Sequence, residues 1–175
     1  MSVEYNKAIA RRFFEEIFNA GNLDAMNELA SPDFVLHVAG SSEPIRGLAS
    51  FRQAHLASRR AFPDQCYVVE DRIAAGDMVA TRWKMLARYQ GGYSGMPPTG
   101  KPIMAAGMTI YRIIDGKIVE AWINSDELGL MRQSGLPRRE RRTKASAFRP
   151  IYMGRGSLSA RGGWRGIKRK LVKEG

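Results

Sequence analysis

Tyr111-Arg112-Ile113-Ile114-Asp115-Gly116-Lys117-Ile118-Val119-Glu120-Ala121-Trp122 carries the clearest structural signal in the chain. An Asp-Gly pair between two runs rich in β-branched and aromatic residues predicts a tight antiparallel hairpin, because both central residues of such a turn need positive φ. Working outward, residues 102–114 and 117–125 become adjacent strands. Upstream, Gly76-Asp77 separates two more strands over residues 65–74 and 78–90. A loop rich in glycine and proline, from Gly91 to Gly100, joins the second of these four strands to the third.

Ahead of the strands the period changes. Tyr5, Ile9, Phe13 and Ile17 recur every fourth residue, and Phe14 and Phe18 widen the stripe. Residues 4–20 therefore read as an amphipathic helix stopped at Gly21. Asn22 is placed to cap a second, short helix through Leu29, which Ser31-Pro32 ends. Residues 33–39 form a short strand. Residues 48–62 form a third helix with Phe51, Ala54 and Ala61 on one side, stopped by Pro63-Asp64. A last helical turn covers residues 127–133. Helices followed by a run of antiparallel strands is an α+β plan, with the helices on one face of the sheet. If the sheet curls, the space beneath it becomes a mostly apolar pocket.

The 175 residues carry a formal charge of +11, but unevenly. Residues 1–135 hold 15 Lys and Arg against 15 Asp and Glu; residues 136–175 hold 13 against Glu140 and Glu174. A neutral domain, 1–135, is thus followed by a basic tail, 136–175. Scattered glycine and the absence of any sustained period predict disorder in the tail. Interleaved Phe148, Tyr152 and Trp164 would let it contact nucleic acid; a solvated extension is the plainer alternative. The domain has no electrostatic preference for nucleic acid. Cys66 is the single cysteine, so an internal disulfide and a multi-cysteine metal site are excluded. No apolar run is long enough for a membrane span, and the N-terminus lacks a secretory pattern, so a cytoplasmic location is expected.

The last strand draws attention for chemistry. Alternation puts Trp122, Asn124 and Asp126 on one face. An indole, an amide and a carboxylate together suit the lining of a pocket, where low dielectric would favour proton transfer by Asp126. The plainer role of Asp126 is to cap the helix that follows. His37, within an apolar strand, is a candidate proton donor or ligand-orienting group, or a structural histidine. His55 reads as surface or helix packing. Tyr89, Met85, Met104 and Met108 would soften a pocket for a flat organic molecule, or serve as plain core. Arg82 is expected on the outer sheet face, paired with Glu70 or Asp71, and Arg112 is expected in solvent. Nucleotide-binding loops, zinc-protease motifs and the nucleophile elbow are absent, and no metal site is expected.

Several segments together resemble the SnoaL-like polyketide cyclases, also known as ester cyclases, of the nuclear-transport-factor-2-like superfamily. They are Ala61-Phe62-Pro63-Asp64, Gly95-Met96-Pro97-Pro98-Thr99-Gly100-Lys101, the hairpin above, and Asp126-Glu127-Leu128-Gly129-Leu130-Met131-Arg132-Gln133. The match covers about residues 5–135. The resemblance implies a cone-shaped α+β barrel, with three N-terminal helices against a curved mixed sheet enclosing a pocket, and homodimers formed through the open sheet face. It implies cofactor-independent ring closure of a small hydrophobic carbonyl compound by intramolecular aldol chemistry. The carboxylate matching Asp126 would be the acid/base, and His37 and Trp122 would line the pocket. From the residues themselves, His37 is expected as a second catalytic group that returns a proton, and Trp122, Asn124, Tyr89, Met108 and Phe51 as substrate contacts. Where many relatives carry a Thr-His pair before the glycine loop, this chain has Arg88-Tyr89-Gln90-Gly91. A non-catalytic binder of a hydrophobic metabolite, or another superfamily activity such as a hydrolase or isomerase, is the alternative.

Overall fold

The computed structural model describes residues 2–92 and 97–134. The basic tail, with its expected disorder and nucleic-acid contact, lies outside the described residues. In chain order the elements are α1 (Val3–Arg12), a π-helical segment (Phe13–Asn19), α2 (Ala25–Leu29), β1 (Ala30–Val38), β2 (Ile45–Arg46), α3 (Leu48–Ala61), β3 (Cys66–Ala75), β4 (Met78–Arg88), β5 (Pro102–Ile114), β6 (Lys117–Ser125) and α4 (Glu127–Ser134). Six strands form one mixed sheet in the order β2-β1-β6-β5-β4-β3. The β1–β6 pair is parallel and the others antiparallel. The α+β architecture is the one anticipated, but the sheet is open, with β2 and β3 at its edges, rather than a closed barrel.

The hairpin forms where expected: Asp115 and Gly116 both have positive φ, 49° and 78°. Two differences lie near the N-terminus. The first helix widens to π geometry from Phe13, which points Phe13, Phe14 and Ile17 together into the core. Asn22 does accept from the backbone N–H groups of Asp24 and Ala25. Pro32, however, does not merely end the helix. It lies inside β1, where the pairing with β6 is interrupted between Ala30 and Val35. β2, only two residues long, gave no sequence signal.

Register decides which residues face the helices. One cross-strand row runs Leu36, Ala121, Tyr111, Val79, Ala74, and it faces inward; Ala121, Tyr111 and Val79 are fully buried. The next row, His37, Trp122, Ile110, Ala80, Ile73, faces outward, and Ile73 and Ile110 are exposed. The core is aromatic. Phe13 lies 5.6–6.4 Å, centroid to centroid, from Phe18, Phe34, Phe51 and Tyr111.

Two side-chain amides finish the sheet. Asn19 donates to the Tyr67 carbonyl oxygen (2.9 Å) and accepts from the Tyr67 N–H (2.7 Å) on the edge strand β3. Gln133 of α4 does the same for Met104 of β5, both at 2.8 Å. Each satisfies edge groups that would otherwise be open to another chain. Among the described residues no helix is long and apolar enough to cross a membrane, and no group of three His, Cys, Asp or Glu side chains is placed to hold a metal ion.

Candidate active site

A cavity of about 170 Å³ lies between the helices and the inner face of the sheet. Its walls are mainly apolar and rich in aromatic rings: Phe18 from the π-helical segment, Phe51 and Phe62 from α3 and its end, and Trp83 from β4. Gly107, opposite Trp83 on β5, makes room for the indole, since a Cβ there would stand 2.4 Å from the ring. The Trp83 Nε1–H donates to Thr109 Oγ1 at 3.0 Å, so this buried ring is fixed in place.

Five polar side chains enter these walls: His55 and Ser58 from α3, Tyr67 from β3, Ser125 from the end of β6, and Glu127 from the start of α4. Ser125 donates its hydroxyl proton to Glu127 Oε1 at 2.7 Å. Burial raises the Tyr67 phenol above its usual range, and the nearby Glu127 charge adds to this. Tyr67 therefore stays protonated and can donate to a ligand. Glu127 is the one carboxylate in the lining, among the described residues.

His55 is 3% exposed. Burial first, and then the Arg59 charge, lower its pKa from 6.5 to about 4, because a charged imidazole is poorly solvated there. The unfolded chain takes up this proton near pH 6.5, whereas the folded chain does so only near pH 4. This contribution is fully present above pH 6.5 and is lost as pH falls toward 4, by on the order of 2 kcal/mol after allowing for solvent screening. Urea unfolding at pH 7 and pH 4.5 measures the loss. His55→Phe should flatten the difference; the same slope in the variant would assign it to another group.

The residues singled out in the sequence divide between the two sides of the sheet. Phe51 lines the cavity. His37, Trp122, Asn124 and Met108 lie on the outer face and none of them lines the aromatic cavity; Asn124 and Met108 instead line a more open hollow on that outer face together with Asp126, where Met108 is 58% exposed. There the His37 ring stacks on Trp122 (5.4 Å, 5°), and its Nε2 meets Glu120 Oε1 at 2.8 Å. Arg112, expected in solvent, donates to Glu120 Oε2 at 2.8 Å and lies over Trp122 at 5.2 Å. Asp126 is exposed; its Oδ1 accepts from the Gly129 N–H at 2.8 Å, which caps α4. Tyr89 is fully buried against Phe62 (5.6 Å) and does not line the cavity. Arg82 does pair with Glu70 on the outer face.

The physical reason is alternation. In β6 the apolar set is Ala121 and Ile123, and this set faces the helices; Glu120, Trp122 and Asn124 take the other side. His55, Tyr67 and Glu127 were missed, though each carries a signal. His55 stands one helical turn from Phe51. Tyr67 alternates with inward Val69. Glu127 follows Ser125 by two residues.

An open mixed sheet over helices, with an aromatic cavity holding one carboxylate, a neutral imidazole and a phenol, defines an α+β pocket protein equipped for acid/base chemistry. The chain belongs to the SnoaL-like polyketide cyclase family, whose model matches residues 8–134, and it is an enzyme of that type. Nogalonic acid methyl ester cyclase of Streptomyces nogalater is 30% identical over 121 residues, 69% of this chain and 90% of that protein. Aklanonic acid methyl ester cyclase DnrD of Streptomyces peucetius is 29% identical over 124 residues, 70% of this chain and 86% of that one. The crystal structure of IdmH from Streptomyces antibioticus, a candidate polyketide cyclase, superposes with a TM-score of 0.66 at 31% identity, covering 75% of this chain and 99% of that one. A candidate SnoaL-like cyclase from Jannaschia sp. CCS1 shares the fold, with a TM-score of 0.72 at 24% identity over 77% of this chain and 94% of that one.

Proposed function

We propose that this chain closes a ring in an aromatic polyketide-like compound by an intramolecular aldol reaction, with Glu127 as the acid/base. The observation that carries the reading is a carboxylate, held by Ser125, in a mostly apolar cavity lined by no other carboxylate among the described residues. The Glu127 carboxylate takes a proton from a carbon α to a carbonyl, leaving an enolate. The enolate carbon forms the new C–C bond to a second carbonyl carbon in the same molecule. The resulting alkoxide takes the proton back from Glu127. Atoms balance and the product is an isomer of the substrate, so the route needs no cofactor. Holding the two carbons together supplies much of the rate, because orientation contributes about 7–11 kcal/mol.

The cavity is smaller than the several hundred Å³ usual for drug-sized ligands. It suits a flat segment of one or two rings bearing the reacting carbonyls. The test is incubation with a panel of aromatic compounds that carry two carbonyl groups, together with the methyl esters of aklanonic and nogalonic acid, followed by chromatography for a product of unchanged mass. No isomerisation above the buffer rate anywhere in the panel would overturn the reading.

The open sheet face supports a second proposal, that it receives a second copy of the chain. Met104, Met108, Ile110 and Ile114 form an exposed apolar stripe along β5. Paired charges border it, Glu70 with Arg82 and Lys84 on one side and Glu120 with His37 on the other, and Arg112, between Ile110 and Ile114 on β5, pairs with Glu120. This is an arrangement that can meet itself across a twofold axis. Sedimentation should give a dimer that Ile110→Lys converts to monomer; a wild-type monomer at micromolar concentration would remove the proposal.

A further inference from the structure

Buried polar atoms in folded proteins almost always have partners, and an exception calls for an explanation. His55 is such an exception. It lines the cavity at 3% exposure, and neither Nδ1 nor Nε2 has a hydrogen-bond partner among the described residues. The ring is not loosely held. It meets Phe18 edge-on (5.4 Å, 68°) and Phe51 at a tilt (6.3 Å, 35°), and both of these rings also line the cavity. Its environment keeps it neutral at pH 7. A neutral imidazole offers one N–H donor and one acceptor, and no positive charge. The group is thus suited to an uncharged, oxygen-bearing aromatic molecule rather than to an anion.

We infer that His55 is the specificity-determining contact of the cavity, donating a hydrogen bond to an oxygen carried on a flat aromatic ligand. This deepens the cyclase reading and rests on it for the identity of that oxygen, the carbonyl that becomes enolate or alkoxide. A neutral donor in the cavity wall, once it meets an oxygen that gains charge, strengthens its bond as the reaction proceeds. Such a donor also rejects substrates that lack the oxygen, since the site's own polar atoms are then left unpaired.

The test uses two probes that differ by one hydroxyl, 1-naphthol and naphthalene, bound to the full chain at pH 7 and measured by calorimetry. The wild-type chain should prefer 1-naphthol by about tenfold, the worth of one net hydrogen bond. His55→Phe should bind the two alike while keeping its affinity for naphthalene, and His55→Gln should restore part of the preference. A full preference in a folded His55→Phe overturns the inference. A measurement on the unaltered protein guards against a misfolded variant: the His55 ring-nitrogen resonances should move with 1-naphthol and not with naphthalene, and equal movement with both also overturns it. A preference that depends on His55 in a chain that cyclises nothing leaves this inference standing and removes the proposed function. Cyclisation without the preference does the reverse.

Discussion

Glu127→Gln should lower turnover of any substrate this chain cyclises by roughly 10²–10⁴-fold, the usual worth of one positioned acid/base. The change keeps the shape of the side chain and leaves an oxygen to accept from the Ser125 hydroxyl, so folding and ligand affinity should hardly move. The informative comparison is with the neighbouring residue. Asp126 caps α4 through Gly129, and asparagine caps as well as aspartate. Asp126→Asn should therefore retain most of the activity. Steady-state kinetics on both variants, with circular dichroism to confirm the fold, separates the two. If Asp126→Asn loses activity and Glu127→Gln does not, the acid/base is Asp126, as the family resemblance implies, and the cavity reading is wrong.

Phe13→Ala should cost about 3–5 kcal/mol, the range for emptying a buried phenylalanine site. Phe13 is 1% exposed and touches four other rings, whose stiff side chains can do little to fill the hole it leaves. Domains of this size hold only about 5–15 kcal/mol in total. The variant should melt on the order of 10 °C or more below wild type. Phe51, which Phe13 supports by stacking at 5.8 Å, also lines the cavity, so ligand affinity should fall with stability. Tyr5→Ala, at a half-exposed position of the same helix, should stay within about 0.5 kcal/mol. Urea unfolding of both checks this; a loss below about 1 kcal/mol for Phe13→Ala would mean the ring cluster is not the centre of the core.

The fold was legible because its signals are local. Asp115-Gly116 specifies a turn whatever surrounds it, and the fourfold spacing from Tyr5 to Ile17 specifies a buried face. The site was less legible because it depends on which face of each strand turns inward. A residue's alternation shows what it shares a face with, not which face that is. Trp122 was expected in a pocket because it shares a face with Asn124 and Asp126, yet Glu120 lies on that face too, while Ala121 and Ile123 on the other are apolar. Weighing both faces of the strand, rather than the polar face alone, points the right way. His55 was hidden by its surroundings in the chain: Arg52, Gln53 and Arg59 suggest a solvated helix, while Phe51 one turn away lies on the buried side. The π-helical widening at Phe13, which turns Phe18 toward the cavity, has no marker in residue type at all.

The bonds between Asn19 and Tyr67 bear on how this molecule ages. They tie the π-helical segment to Tyr67, a cavity residue on the edge strand, through a side-chain amide rather than through a neighbouring strand. Deamidation of Asn19 would exchange the amide nitrogen for a second oxygen. It would set that oxygen against the Tyr67 carbonyl, turning one attraction into a repulsion. A hydrolysis that changes a single atom at the rim of the core would thus reach the wall of the active site while the sheet stayed whole. Old preparations would then lose function before they lost structure.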